Sequence, residues 1–284
     1  MTPVSKALWY IESHFATEIT LADVALMSGV SRYHISRVFG VATGRPVMRY
    51  IRGRRLTEAA RALAKGADGP HGADDILSVA LDYGYGSHEA FTRAFRDQFG
   101  VTPETVRAQR RLENLQLVEP LRMDKIQHVK LEPPRFEHSR TLLIAGIGER
   151  YNCDNLAGIA SQWQRFLPHL GNVPGQLGGR VAYGVICNTD EAGNIDYLAG
   201  VEVSDFARVG PELSRLRIPE QRYAVFAHRD HVSSIRATMF TIFNQWLPES
   251  GHQVLDAPEL ERYGEEFDSR SGLGGFEIWI PVKS

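Results

Sequence analysis

Residues 20–39 read TLADVALMSGVSRYHISRVF, and this segment determines how the N-terminal part of the chain folds. Thr20 precedes an apolar helical pattern and Asp23 follows three residues later, at the spacing of a capping box. Gly29 then interrupts the pattern, and Ser31 is placed to cap a second helix. The segment therefore predicts two short helices joined by a tight turn, which is the arrangement of a helix-turn-helix unit.

The same pattern returns further along the chain in DILSVALDYGYGSHEAFTRAF, residues 75–95. Aligning the two segments superimposes Gly29 on Gly84 and, with one inserted residue, Phe39 on Phe95. Two copies with the same small and aromatic positions favour a duplicated helix-turn-helix over an ordinary helical bundle.

A long helix is predicted between the two units, from Val47 to about Ala64, with the glycine-containing residues 66–72 ending it. Between Arg32 and Arg61 the chain carries eight arginines against one acid. A basic stripe of this kind attracts a polyanion such as nucleic acid, although a solvated helix face is the alternative.

Charge and composition separate the two parts of the chain. Residues 1–111 carry 15 Lys and Arg against 11 Asp and Glu, whereas residues 112–284 carry 17 against 23. The length of 284 residues suggests two domains. We expect a DNA-binding domain over 1–111, a linker over 112–124 and a second domain over 125–284.

The composition also excludes several classes of protein. Only two cysteines are present, Cys153 and Cys187, which excludes a disulfide framework and fits a reducing, cytoplasmic location. No apolar run is long enough for a membrane helix, and no signal peptide is apparent. We find no nucleotide-binding loop or metalloprotease motif, so no cofactor is expected. His228 and His231 lack a third metal ligand nearby, which favours two solvated histidines over a metal site.

The sequence of the second domain predicts mainly β-strands, with two helices between them. Its order is predicted to be strand–helix–strand–strand, twice, which gives an α+β domain. The predicted strands are 142–147, 181–187, 197–203, 222–230, 260–267 and 276–282, and the predicted helices are 155–170 and 233–247.

In a helix-turn-helix the second helix lies in the major groove, where Arg, Thr and aromatic side chains read base edges. Arginines on the connecting helix are better suited to phosphates, which position the protein without reading sequence. The predicted DNA-binding residues are Arg32, Tyr33, His34, Ser36, Arg37, Arg49, Arg52, Arg54, Arg55, Ser87, His88, Glu89, Thr92, Arg93 and Arg96.

Three segments carry a resemblance to a known family. Residues 91–103, FTRAFRDQFGVTP, resemble the signature of the AraC/XylS transcription regulators. Residues 51–56, IRGRRL, and the helix over 31–39 resemble that family's linker helix and first recognition helix. The resemblance covers about residues 5–108 and implies an all-α module of seven helices, with two helix-turn-helix units on a rigid linker. It also implies contact with RNA polymerase and favours an activator, although the sequence leaves both activation and repression open. Gly53 departs from the good helix former usual in the linker.

The C-terminal strands place acids beside aromatic rings. Strand alternation predicts that Glu261 and Tyr263 share one face of their strand, and that Glu277 and Trp279 share a face of theirs. An aromatic ring attracts a cation and a carboxylate neutralises it, so this combination suits a cationic, apolar ligand. The alternative is that the aromatic residues are core and the acids are surface. The predicted ligand-binding residues are Glu261, Tyr263, Glu277, Trp279, Trp163, Tyr183, Tyr197 and Trp246.

The segments ERY at 261–263 and EIWIPV at 277–282 are similar to the GyrI-like small-molecule-binding domains. That resemblance covers about residues 127–283, with Glu261 and Glu277 on matching motif positions, whereas Trp279 replaces an aliphatic residue. It implies a pseudo-two-fold pair of units with a ligand cleft between them. The chain is thus predicted to be a multidomain regulator that binds double-stranded DNA and a small-molecule effector, without catalytic or metal-binding residues. Two alternatives stay open, a small-molecule hydrolase and a domain that docks on a protein partner.

Overall fold

The computed structural model describes residues 1–65, 75–121, 128–152 and 156–283. The helices are α1 (Pro3–His14), α2 (Leu21–Ser28), α3 (Arg32–Thr43), α4 (Val47–Lys65), α5 (Ile76–Asp82), α6 (His88–Phe99), α7 (Pro103–Gln109), α8 (Gly158–Phe166), α9 (Ile235–Thr241) and α10 (Leu247–Ser250). The strands are β1 (Arg135–Ser139), β2 (Leu142–Asn152), β3 (Ala182–Cys187), β4 (Asn194–Glu202), β5 (Ser214–Ile218), β6 (Gln221–His228), β7 (Glu259–Tyr263) and β8 (Phe276–Pro281). The predicted helix end at 66–72 and the linker residues 122–124 lie outside the described residues. No described helix has the length and apolar character needed to cross a membrane.

The chain divides into two compact units. The first comprises Met1, Ser5–Gly29 and Val47–Asp124, and the second comprises Thr2–Val4, Val30–Pro46 and Lys125–Ser284. Helix α3 therefore belongs to the same compact unit as the β-sheet. The domain boundaries expected from the sequence, at 111 and 124, stay predictions.

The local signals of the repeated pattern are present in the structure. Thr20 and Asp23 form a complete capping box at the start of α2, and the Ser31 hydroxyl accepts the backbone N–H of His34 at the start of α3. Gly29 and Gly84 have φ angles of 74° and 77°, the left-handed conformation that only glycine adopts without strain. The small residue in each turn is thus a backbone requirement.

Helix α4 is the centre of the first unit. Its apolar side packs with α5, α6 and α7 in one core, whose buried members include Leu56, Leu63, Val79, Phe91 and Phe95. Burying aromatic and branched side chains of this kind contributes roughly 1.5–3 kcal/mol for each residue.

Gly53 lies in the middle of α4, where residue 118 packs across the helix. A Cβ at position 53 would meet Val118 Cγ2 at 2.7 Å, so only glycine permits this approach. The backbone of Val118 is held by α4 itself, since its N–H donates to Thr57 Oγ1 and its C=O accepts from Arg54. The departure from a good helix former at position 53 therefore has a packing cause.

The second unit is built on one antiparallel eight-stranded sheet in the order β1-β6-β8-β7-β3-β4-β2-β5. Counted inward from the two edges of the sheet, the equivalent positions are held by β1 and β5, β6 and β2, β8 and β4, and β7 and β3. The duplicated strand–helix–strand–strand order is thereby confirmed, with α8 and α9 as the equivalent helices. The multidomain fold is confirmed with it, a helical N-terminal region followed by a curled-sheet α+β domain.

Three features of this unit were not predicted. The edge strands β1 and β5 read RFEHS and SRLRI, and their charged residues are typical of protected sheet edges rather than of buried strands. The helix predicted over 233–247 contains a π-helical segment, Ile242–Trp246, between α9 and α10. Such widened turns have no strong sequence signal.

Replacing Gly53 with Ala tests the packing of Val118 on α4. In an open helix this change stabilises by about 1 kcal/mol, but here the added methyl overlaps Val118, and overpacking costs about 1–3 kcal/mol. We expect a lower unfolding midpoint for Gly53→Ala in urea. In the background of Val118→Ala the same change should cost less, because only the Val118 Cβ, at 3.2 Å, stays close to the added methyl. A loss of equal size in both backgrounds would contradict this account.

Candidate functional site

Three side chains of β7 lie on one face of the sheet. Strand alternation puts Glu259, Glu261 and Tyr263 on that face, and the register pairs Glu261 with Gly184 of β3 and Ile278 of β8. This is the face covered by helices, because the α8 side chains contact the same side of β4. Two carboxylates therefore point from one strand into the covered side of the sheet.

Glu261 is the centre of a hydrogen-bonded aromatic cluster. The hydroxyls of Tyr197 and Tyr263 both donate to Glu261 Oε2, at 2.7 Å and 2.9 Å. Trp163 Nε1 on α8 donates to the Tyr197 hydroxyl at 2.9 Å, and its ring meets Tyr263 edge-on at 5.1 Å. No donor among the described residues reaches Glu261 Oε1. The cluster thus presents one carboxylate oxygen beside aromatic rings.

Gly184 makes room for this cluster, and the sequence analysis missed it. A Cβ at position 184 would lie 2.2 Å from the Tyr197 hydroxyl and 2.6 Å from Glu261 Oε2. A glycine inside a strand often marks such a close approach, so the signal was available in the run AYGVIC.

Burial is the largest cause of the pKa shifts of the titratable groups in this cluster. It raises the pKa of Glu261, although the two tyrosine hydrogen bonds and the charge of Arg37 act in the opposite direction. Burial and the neighbouring carboxylate also raise the pKa values of Tyr197 and Tyr263 well above the ordinary tyrosine value, so both hydroxyls stay protonated donors.

Glu277 and Trp279 do not join this cluster. Because Glu261 pairs with Ile278, the alternate residues 277 and 279 of β8 face the other side of the sheet. There Glu277 accepts from Arg135 at 2.7 Å and from Trp279 Nε1 at 3.0 Å. The prediction that both acids border one ligand is wrong, because the register separates them and protein side chains already pair with Glu277.

Tyr183 and Trp246 also lie apart from Glu261. Tyr183 pairs with Arg262, so it faces the apolar cluster on the same side as Trp279. Trp246 packs edge-on against Phe226 at 4.8 Å, in the other half of the pseudo-symmetric unit. Of the eight predicted ligand-binding residues, the structure brings together Glu261, Tyr263, Tyr197 and Trp163.

Glu259 is the second carboxylate of the strand, and the sequence analysis did not select it. Its side chain is 2% exposed and pairs with α3. Arg37 donates Nε–H to Oε1 at 2.9 Å and NH2 to Oε2 at 2.5 Å, and the Tyr33 hydroxyl donates to Oε1 at 3.1 Å. The period of two in ELERY places Glu259 on the face of Glu261, so the signal was present in the sequence.

Helix α3 is fixed on this unit at further points. Arg236 of α9 donates to the backbone carbonyls of Val41 and Ala42, at 2.8 Å and 3.2 Å, near the C-terminus of α3. The His34 ring packs 5.8 Å from that of Phe243. Burial lowers the pKa of His34 to about 4, although the charge of Glu259 opposes this shift.

The predicted DNA-binding residues of α3 divide by exposure. Tyr33, His34 and Arg37 are 9%, 7% and 6% exposed. Ser36 is partly exposed, and the exposed Arg32 pairs with Glu191 at 3.2 Å. Three of the five α3 side chains expected to read bases are thus engaged inside the protein.

The corresponding residues of α6 are accessible. Glu89, Arg93 and Arg96 are exposed, and their spacing places them on one side of the helix. His88 and Thr92 are partly exposed. The Ser87 hydroxyl accepts the Ala90 N–H as an N-cap, and His88 Nε2 lies 3.1 Å from Glu104 Oε1.

The four predicted arginines of α4 have different environments. Arg49 and Arg52 are exposed. Arg55 donates to the backbone carbonyls of Phe15 and Thr17, each at 2.5 Å, and so helps to hold the end of α1.

Arg54 is 3% exposed. It pairs with Glu12 and with Glu58, and it donates to the Val118 carbonyl at 2.9 Å. The phosphate contact predicted for Arg54 does not fit this buried position, where the guanidinium is already neutralised by two carboxylates.

Comparison with known proteins agrees with both parts of this architecture. A family model described as the GyrI-like small molecule binding domain matches residues 132–283, more than half of the chain, and a helix-turn-helix domain model matches residues 24–109. The chain belongs to the AraC-type transcription regulators that carry a GyrI-like domain.

Its relatives include regulators of full and partial length. The transcriptional regulator Rob of Salmonella typhimurium is 24% identical over 276 residues, which cover 95% of this chain and 92% of Rob. The right origin-binding protein of Escherichia coli K12 is 24% identical over 294 residues, covering 99% and 98%. The multiple antibiotic resistance protein MarA of Salmonella typhimurium is 35% identical over 104 residues, covering 37% of this chain and 77% of MarA.

Within the described residues of this AraC-type regulator, no group of three or more His, Cys, Asp or Glu is arranged to hold a metal ion. His228 is 2% exposed, so the expectation that it is solvated is wrong. Its Nδ1 lies 2.9 Å from Thr238 Oγ1 and its Nε2 lies 3.2 Å from the His231 carbonyl oxygen, which fixes the start of α9.

The raised pKa of Glu261 gives the GyrI-like domain a defined pH response. A carboxyl whose folded-state pKa exceeds its unfolded value contributes stability below the unfolded pKa, about 4.3, and loses it as pH rises through the folded pKa. Glu261→Gln mimics the protonated form, so its stability relative to wild type should increase with pH in urea melts. Carboxyl 13C resonances, assigned by the signal missing in Glu261→Gln, should show the raised pKa. A stability difference independent of pH between 4 and 8 would contradict it.

Proposed function

We propose that this regulator binds a small organic cation with an apolar body at Glu261, and that this effector alters its control of transcription. The observation that supports the proposal is the carboxylate oxygen Oε1, which no described donor reaches, beside the rings of Trp163 and Tyr263. A buried carboxylate is costly unless it is neutralised, by a proton or by a partner.

A cation at Glu261 would compensate the charge of the carboxylate. The ligand would then lie beside the Tyr197 and Tyr263 hydroxyls that already donate to Glu261 Oε2. The adjacent aromatic faces add a cation–π attraction of about 2 kcal/mol or more when the contact is desolvated. A neutral ligand of the same shape gains the apolar contact alone.

The DNA-binding role rests on the exposed basic residues of the helix-turn-helix region. Arg93 and Arg96 on α6 are suited to base edges and nearby phosphates, and Arg49 and Arg52 on α4 are suited to phosphates. Under this proposal the partners are duplex DNA, the effector and, by resemblance to the family, RNA polymerase.

The first test compares Glu261→Gln with Glu277→Gln, which removes the same charge from the opposite face of the sheet. Calorimetry on the full chain would use phenyltrimethylammonium and its neutral isostere tert-butylbenzene. Glu261→Gln should weaken the binding of the cation about tenfold or more, because the compensating carboxylate charge is lost, and leave the neutral ligand nearly unchanged. Glu277→Gln should change neither.

Equal losses for both ligands in Glu261→Gln would contradict a charge-based site. Chemical turnover of a bound ligand, abolished by Glu261→Gln, would replace the proposed binding role with the hydrolase alternative.

The second test compares two neighbouring arginines of α4 in DNA binding. Arg52→Ala should reduce the dependence of log K on log salt by about 0.9, the value for one phosphate contact. Arg54→Ala should leave that slope unchanged but destabilise the first unit, because Glu12 and Glu58 lose their buried partner. Fluorescence anisotropy over a salt series measures the slope, and thermal melting measures the stability. A reduced slope for Arg54→Ala alone would reverse the assignment.

A further inference from the structure

Three of the side chains of helix α3 that are predicted to read bases, Tyr33, His34 and Arg37, contact the GyrI-like domain and are buried. Tyr33 and Arg37 donate three hydrogen bonds to Glu259, and His34 packs against Phe243. Side chains that are at most 9% exposed cannot contact a base edge in this conformation. DNA recognition by α3 therefore requires that these contacts break.

Arg37 binds Glu259 in the way that a guanidinium ligand would bind a carboxylate. Its guanidinium approaches Glu259 with two N–H donors, one on each carboxylate oxygen. Glu259 lies two residues before Glu261 on the same face of β7, about 6.8 Å away at the usual rise of a strand. A cation thus already occupies the end of the carboxylate pair that is nearer to α3.

We propose that Arg37 of α3 is an internal occupant of the effector site, and that an organic cation which pairs with Glu259 displaces α3 and frees it to bind DNA. The inference rests on the proposed function, since it assigns the regulation of that same face. It adds a second carboxylate, Glu259, to the site, and it makes the effector compete with the protein's own recognition helix.

The geometry also defines the class of ligand. Glu259 accepts a planar fork of N–H donors, so guanidinium and amidinium groups fit it better than a quaternary ammonium does. If a ligand cation replaces the Arg37 guanidinium, the buried Glu259 carboxylate keeps a positively charged partner. A neutral ligand would leave the charge of Glu259 uncompensated. The expected effector is therefore an amidinium or guanidinium on an apolar or aromatic body.

The two recognition helices then have different roles in DNA binding. Glu89, Arg93 and Arg96 of α6 are exposed and need no rearrangement before they contact DNA. The unliganded protein should then bind through α6, and release of α3 should add a second groove contact. In a helix-turn-helix protein, successive contacts in the major groove are about 34 Å apart, one turn of DNA.

Two variants of the full chain release α3 by independent routes. Arg236→Ala removes the donor to the Val41 and Ala42 carbonyls without touching the carboxylates. Glu259→Gln removes the charge that holds Arg37. Glu277→Gln is the matched control on the opposite face, and Arg236→Ala, an exposed substitution, keeps the test valid if Glu259→Gln fails to fold.

Three measurements are made without ligand. Hydrogen exchange should accelerate for the α3 amides, but not for those of α6, in both release variants. Affinity for a duplex enriched from random sequence by the full chain should rise about tenfold, because the competent fraction rises. Footprints should lengthen by about one helical turn. Unchanged α3 exchange in both variants would overturn the inference whatever the ligand does.

The ligand arm uses benzamidine and its neutral isostere benzamide. Benzamidine should accelerate α3 exchange and tighten DNA binding in wild type, and it should do neither in Glu259→Gln, whereas benzamide should have no effect. Benzamidine that binds by calorimetry and leaves α3 exchange unchanged would overturn the inference while the proposed function stands. If neither benzamidine nor phenyltrimethylammonium binds, the proposed function fails, and the claim that Arg37 stands in for an effector fails with it.

Discussion

The candidate site depends on two carboxylates that lie on the same face of one strand. Glu259 and Glu261 share a face of β7, where Glu259 is 2% exposed and Glu261 is partly exposed. Each carboxylate is stabilised in a different way. Glu259 pairs with Arg37 and Tyr33, whereas Glu261 accepts two tyrosine hydroxyls and has a raised pKa. Under the proposed function, Glu261 Oε1 and the carboxylate that holds Arg37 are the two points of this strand at which a cationic ligand would bind.

Helical periodicity decides which basic residues of α4 are exposed to solvent. On α4 the spacing of 3.6 residues exposes Arg49 and Arg52 but turns Arg54 toward Glu12 and Val118. A basic stripe in the sequence therefore contains both surface charge and buried structural ion pairs. Net charge alone does not separate them, because Arg54 is paired both with Glu58, one turn along α4, and with Glu12 of α1.

Local signals predicted the helical region well, since caps and left-handed glycines act within a few residues. The capping box at Thr20 and the repeated glycines are cases of this kind. The order of strands and helices along the second domain followed from the succession of their sequence patterns, and the grouping of Glu261 with Tyr263 followed from strand alternation. The partner of Glu277 did not, because the register between β7 and β8 and the position of Arg135 are long-range properties. The packing of α3 beside Glu259 joins residues more than 200 positions apart, and no local pattern encodes it.

Under the proposed release of α3, the unequal exposure of α3 and α6 has a kinetic consequence for the search along DNA. A protein that contacts the duplex through α6 alone holds it by fewer charges and dissociates from non-specific sites sooner. Once α6 is seated, α3 acts at a high effective concentration set by the chain that joins them. Residence time at the correct site then grows without slower sampling of incorrect ones, so the covered helix separates the speed of search from the lifetime of the final complex.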